Sequence, residues 1–305
     1  MKTIIKNANR VRGKRKKSFS ILSTVSFILL IAFTIFLFSL MFWGLLNSLK
    51  DRFDFRDNNL FGLPIEWKWD HYVLAFTHMK MTVEHGLGFR TVYLEEMYLN
   101  SILYAGGCAV FQTMCACITA YMTSRYKYKF SSVINFVVIL AMVMPIVGAL
   151  PSEMRIVRLL GLHDNIVGQW ILKANFLGIY YLIFQATFKS MPNEFHEAAV
   201  MDGASDFKRL VHIALPLAVN TIFTVILIQF IAFWNDYQIP LLYLPSYPTV
   251  SYGLYDFAIV NSDNELTSVP MRLAGCYLMM LPVLVLFIIF RNKLIGNISM
   301  GGLKE

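Results

Sequence analysis

The chain has 305 residues, 57% of them hydrophobic and only 15% charged, with a mean hydropathy of +0.55. Soluble domains carry about a quarter charged residues, so this composition excludes an ordinary cytosolic protein. The formal net charge of +8 comes from residues 1–18, which hold eight basic residues and no acid, while the remainder is balanced at 19 of each. That split argues against a nucleic-acid-binding surface, and no nucleic-acid partner is expected.

A bilayer core about 30 Å thick needs roughly 20 apolar residues as helix, so long gaps between charges mark the spans. After the basic arm (1–18), the run Ser18–Leu49 is uncharged for 32 residues and predicts a first helix over about 19–48. This run is longer than the roughly 7–15 apolar residues of a signal peptide, so the helix is read as retained. Further helices are predicted over about 97–124, 130–151, 166–188, 216–236 and 269–290. The fourth contains Lys173, which can snorkel toward an interface. Tyr237–Tyr255 is also uncharged, but Pro240, Pro245, Pro248 and Gly253 make it read as an interfacial loop. The fold class is therefore all-α: a polytopic membrane protein with six transmembrane helices in one domain (19–292), ending in a tail (293–305).

Orientation follows from where Lys and Arg lie. With the N-terminus inside, the inner segments 1–17, 125–129, 189–215 and 291–305 hold 17 Lys/Arg, and the outer segments hold 8. Both termini are expected to be cytoplasmic. The first outer loop, with Trp67 and Trp69, is long and has no assigned role.

Little in the sequence suggests catalysis. Cys108, Cys115, Cys117 and Cys276 all fall in predicted helices without a CxxC pair, and read as packing residues. His196-Glu197 begins like HExxH but lacks the second histidine one turn later, so no metal site is expected. There is no GxxxxGK[ST] phosphate loop. No cofactor is expected on this chain.

The cytoplasmic loop 189–215 is long enough to build structure of its own. Pro192, Glu194 and Glu197 suit a helix start, and Asn193–Met201 makes about two and a half turns. Phe195, Ala198, Ala199 and Met201 lie close to one face. Asp202-Gly203 should break this helix, and Ser205 should cap a second one running toward His212 before Pro216 leads into helix five. A helix–turn–helix knob is predicted.

Glu197-Ala198-Ala199, then Asp202-Gly203-Ala204, then Ile213-Ala-Leu215-Pro216 resembles the EAA loop of ABC-type importer permeases. Lys50-Asp51, Asn100-Ser101, Ala120-Tyr121 with Arg125, Trp234-Asn235-Asp236 and Gly301-Gly302-Leu303-Lys304 extend the likeness to the carbohydrate-uptake branch, with its six-helix maltose-type permeases. The resemblance implies a type I importer permease fold in a bacterial cytoplasmic membrane. It implies a second, different permease subunit, two ATPase subunits that bind ATP and magnesium, and an extracellular or periplasmic solute-binding protein. The chain itself would be no enzyme. It would form half of the pathway for a carbohydrate, with an oligosaccharide favoured over glycerol phosphate or a polyol; a secondary transporter is the distant rival. The resemblance assigns ATPase coupling to Glu197, Ala198, Ala199, Asp202, Gly203 and Ala204, with a tail contact through Gly301 and Gly302. For substrate, the aromatic and polar set Phe230, Phe233, Trp234, Asn235 and Tyr237 has the chemistry to face sugar rings and hydroxyls. The same residues also suit an aromatic belt at the outer interface.

Overall fold

The computed structural model of the protein describes residues 21–57, 59–85, 88–126, 128–144, 148–260 and 268–298. The basic arm 1–18 and the tail residues Gly301 and Gly302 lie outside the described residues. Among the described residues, four helices are long and apolar enough to cross a membrane: Ile21–Ser48, Leu94–Arg125, Asp206–Asn235 and Val269–Arg291.

Helix α1 (Ile21–Ser48) is apolar all round and buries only Gly44, Asn47 and Ser48, at its C-terminal end. The segment that follows is not a simple loop. It contains α2 (Arg52–Arg56), α3 (Asp70–His78) and an antiparallel hairpin of β1 (Lys80–His85) and β2 (Gly88–Tyr93), paired from Lys80↔Tyr93 to His85↔Gly88. The all-α reading is corrected here by one two-stranded hairpin. Its cause is legible as alternation: Met81, Val83 and Val92 turn inward onto Ala75, Met79, Leu94 and Met97, while Thr82 and Glu84 face out.

Helix α4 (Leu94–Arg125) is the central post. Its small residues Ala116, Cys117 and Ala120 let two later helices approach closely: α8 (Ile179–Ser190), and the long helix that ends in α11 (Leu215–Asn235). Between them lie α5 (Lys129–Val143), α6 (Leu150–Leu159) and α7 (Ile166–Lys173). All four cysteines are free, with Cys108 and Cys117 in the buried core.

Two of the expected spans differ from the structure. The third ends at Val143 rather than 151, because Met144, which precedes Pro145, leaves the helical region with ψ 119. At 15 residues α5 is about 22 Å long, short of the hydrocarbon core. The fourth is not one helix: residues 174–178 interrupt it, and Gly178 sits at φ +136, where no helix continues. Asn165 then caps α7, its Oδ1 accepting from the Val167 N–H at 2.9 Å.

The Tyr/Pro-rich segment after α11 also departs from the expected interfacial loop. It folds into α12 (Gln238–Tyr243) and α13 (Val250–Tyr255), with Tyr243, Leu244 and Val250 buried against the bundle. Asn100 and Ser101 pin it, through Asn100 Nδ2→Pro248 O (3.1 Å) and Val250 N→Ser101 Oγ (2.8 Å).

The last helix, α14 (Val269–Ile298), carries Pro282 in its interior and continues into the residues expected to begin the tail. Proline has no N–H to offer the carbonyl four residues earlier, that of Leu278. The Tyr98 hydroxyl donates to that carbonyl at 2.9 Å, and Trp234 Nε1 donates to the adjacent Met279 carbonyl at 3.2 Å. In an apolar surrounding a carbonyl left without a donor is costly. Tyr98→Phe is therefore expected to lower stability by about 1–3 kcal/mol, read as a fall in the thermal midpoint of the solubilised protein. An unchanged midpoint would refute this role for Tyr98.

Candidate functional site

The knob predicted from the loop is built by local chemistry. Helix α9 (Glu194–Met201) opens with Glu194 and Glu197 in its first turn, where the helix dipole favours carboxylates. It stops at Gly203, whose φ of +71 is the left-handed conformation glycine adopts freely. Two backbone bonds close the stop: Ala204 N–H to Ala199 O at 2.9 Å, and Gly203 N–H to Val200 O at 3.0 Å. This is the paired arrangement of a Schellman turn. Small side chains at Ala199 and Ala204 leave room for the chain to fold back over the helix end. The side chain of Asp202 is in solvent, and the backbone closes the turn.

The six EAA-loop residues thus divide by position. Ala199 is buried, Ala204 is half-buried and Gly203 shapes the turn, while Glu197, Ala198 and Asp202 face outward. Ala199, one turn after Phe195 on the same side of the helix, is buried, while Phe195, Ala198 and Met201 are exposed. In the same stretch Phe195, Val200, Met201 (86% exposed) and Phe207 (73%) are also exposed. Exposed apolar side chains interspersed with carboxylates are suited to docking another protein.

Ser205 caps the next helix, α10 (Asp206–Arg209), its Oγ accepting from the Lys208 N–H at 3.3 Å. A π-helical turn (Leu210–Ala214) then joins α10 directly to α11. Pro216 accounts for that turn: lacking an N–H, it interrupts the regular ladder, and the Leu215 N–H reaches Leu210 O. Asp206–Asn235 is consequently one helix of 30 residues, about 45 Å long. The sequence places a knob helix ahead of helix five; the structure makes them one rod.

Long-range contacts brace the knob. Arg125, at the end of α4, donates from Nη1 to Asn193 Oδ1 (2.6 Å) and from Nη2 to Met191 O (3.2 Å). The Tyr126 hydroxyl donates to Asp206 Oδ1 at 2.6 Å, Asp206 also pairs with Arg209, and Arg209 Nη1 donates to His196 Nε2 at 2.7 Å. Tyr126 and Arg209 were not singled out from sequence, and His196 was weighed there only as a metal ligand. The Asp206/Arg209 spacing of i,i+3 was the one local signal of this brace.

Burial, then the Arg209 and Arg125 charges, hold His196 below its ordinary value of 6.5, against the opposing pull of Glu197. Neutral His196 can accept from Arg209; protonated, it cannot, and it repels both arginines. A base with a depressed pKa penalises the folded knob only where it must be protonated. The brace should therefore be intact above pH 6.5 and weaken as pH falls below it. Amide exchange across 193–209, corrected for intrinsic rate, should show this loosening, and His196→Gln should abolish its pH dependence.

At the other end of the rod, the structure collects most of the expected substrate residues into one aromatic cluster. Trp234 is 1% exposed, with Phe230 at 5.6 Å and Tyr98 at 6.2 Å between ring centroids, and Phe233 meets Tyr104 edge-on at 5.9 Å. Trp234 is thereby occupied in packing and in serving the Met279 carbonyl. Asn235 is exposed, with Nδ2 donating to Ile231 O (2.8 Å), and Tyr237 stacks on Tyr255 at 4.6 Å. Asp236 ties this end down, with Oδ1 accepting from the Gln238 N–H at 2.9 Å.

Comparison with known proteins supplies the context. The sequence profile described as "Binding-protein-dependent transport system inner membrane component" matches residues 112–299, which include the whole knob. The Maltodextrin transport system permease protein MdxG of Bacillus subtilis is 28% identical over 235 residues, covering 73% of this chain and 81% of that protein. The Diacetylchitobiose uptake system permease protein NgcG of Streptomyces coelicolor is 21% identical over 282 residues, covering 92% and 88%. Among solved structures, a chain of a bacterial ABC transporter involved in import of the acidic polysaccharide alginate superposes with a TM-score of 0.72 at 22% identity, covering 92% of this chain and 99% of that one.

Proposed function

Because the chain belongs to the family of binding-protein-dependent transport system inner membrane components, we propose that it is one of two permease subunits of an ATP-driven importer for a carbohydrate. The exposed knob, whose second helix runs straight into a 30-residue membrane helix, carries this reading. Its first helix, α9, is tied back to that rod through the Schellman turn at Gly203 and the His196–Arg209 contact, so a partner that moves the knob moves the rod. This is the rigid-body kind of transition that alternating access requires.

Glu197, Ala198 and Asp202 are the contact residues for a separate ATPase subunit, and Ala199, Gly203 and Ala204 hold them in place. ATP and magnesium belong to that subunit. The tail residues Gly301 and Gly302 are a second contact with it. An oligosaccharide substrate is supported by what the relatives' names say they carry, maltodextrin and diacetylchitobiose. Of the outer-end residues, the exposed Asn235 and the half-buried Phe230, Phe233 and Tyr237 can meet sugar, whereas the buried Trp234 positions α14. The topology is six crossings with both termini cytoplasmic, the crossings around α5 and around α7–α8 being made by broken or short helices.

Gentle detergent extraction tests the assembly. The chain should copurify with a second, different permease and with an ATPase; emergence of the chain alone from intact membranes would overturn the proposal.

A further inference from the structure

Phe61, Leu63, Ile65, Trp67 and Trp69 occupy alternate positions along Leu60–Trp69, and all five are exposed, Phe61 at 88% and Ile65 at 80%. Large apolar side chains held in water at this density need an occupant. The segment is firmly placed rather than loose. Trp43 Nε1 and Asn47 Nδ2, on the last turns of α1, both donate to Leu60 O, at 2.8 and 3.3 Å. At the other end, the Lys68 N–H donates to Leu49 O at 2.8 Å.

These bonds fix its depth. Helix α1 has 28 residues and is about 42 Å long, longer than the hydrocarbon core, so its last turns lie among headgroups. Leu60–Trp69 runs beside those turns, from the level of Trp43 to that of Leu49. Phe36 and Leu40, exposed on the same side of α1 as Trp43, continue the apolar surface into the bilayer.

Several of its polar groups are satisfied by the protein, as placement at the membrane surface favours. The half-exposed N–H of Ile65 donates to the buried carboxylate of Asp54 at 3.0 Å, and Asn59 Nδ2 donates to Asp54 Oδ1 (2.6 Å) and Leu63 O (3.0 Å). Glu66 and Lys68, the only ionisable residues of the segment, pair with each other at 2.7 Å and leave it without net charge. The Trp67 and Trp69 rings lie within 14° of parallel, 6.3 Å apart. Tryptophan favours the headgroup level, where an apolar body and a polar N–H are both satisfied.

We infer that Leu60–Trp69 is an interfacial membrane anchor, its apolar side chains inserted into the leaflet at the C-terminal end of α1, which is the outer leaflet in the proposed topology. It holds the end of α1 at fixed depth while the rest of the bundle moves. The inference needs only the membrane location and α1 as a span, so it stands apart from the identity of the solute.

Photo-crosslinking decides it. p-Benzoylphenylalanine is placed at Ile65, and separately at Phe36 on the exposed surface of α1, in the transporter purified with its partners into nanodiscs of phosphatidylethanolamine and phosphatidylglycerol. Irradiation should give lipid adducts at Ile65 with a yield within about threefold of that at Phe36. Adducts to another protein at Ile65 would overturn the inference in favour of a subunit or binding-protein contact. No adduct at Ile65 alongside lipid adducts at Phe36 would overturn it in favour of a water-facing strip.

Discussion

Gly203→Pro is expected to abolish uptake while the chain still inserts and accumulates at its normal level. Proline holds φ near −65°, whereas this position is at +71. It also removes the N–H that bonds Val200 O, so the turn loses a bond as well as its shape. The combined cost is about 3 kcal/mol or more, which shifts the knob population roughly a hundredfold away from the docked shape. Gly203→Ala carries only the strain of a left-handed residue, about 1 kcal/mol, and should retain much of the activity. The membrane-embedded core lies elsewhere, so insertion should not change. Uptake by the proline variant at the normal rate would refute the assignment of Gly203 as the coupling turn.

Glu197→Lys is expected to have the second largest effect, for a different reason. Among the described residues Glu197 makes no ion pair, and its side chain is exposed, so the fold hardly depends on it. Reversing its charge at the start of α9 should cost the helix only about 0.3–1 kcal/mol. At a docked interface the same reversal places like charges together or leaves a partner's cation unpaired, costing about 2–5 kcal/mol. Uptake should fall by about 30-fold or more, with ATP hydrolysis by the partner no longer stimulated by substrate. The thermal midpoint should stay near that of the parent. A large drop in midpoint with normal coupling per folded molecule would reverse the roles assigned to Glu197 and Ala199.

The knob was legible in the sequence because its determinants are local. Acid at a helix start, glycine at its end and serine at the next cap each act within four residues. The brace was not legible, since Arg125 and Tyr126 meet Asn193 and Asp206 across about 70–80 positions, and single-sequence spacing carries no signal at that range. The membrane spans were read from gaps between charges. That measure sees solvation and misses backbone geometry, and so it passed over the break at Asn175–Gly178 and the stop at Met144-Pro145. Pro282 is visible in the sequence, yet nothing there says that Tyr98 will serve the carbonyl it frees. The first outer loop was unread because alternation over six residues is short, and the helical runs on either side masked it. Of the outer-end set, aromatic chemistry suggested substrate contact for Trp234, but aromatic residues also pack, and only burial separates the two uses.

The central claim is that ATP hydrolysis on a partner drives solute through this chain by way of the knob. Proteoliposomes containing the copurified complex, loaded with ATP and magnesium and supplied outside with the solute-binding protein and labelled maltodextrin or diacetylchitobiose, measure it directly. Labelled oligosaccharide should accumulate only with hydrolysable ATP, and accumulation should be lost with Glu197→Lys in this chain. Accumulation driven by an imposed proton or sodium gradient without ATP, unaffected by Glu197→Lys, would contradict the account.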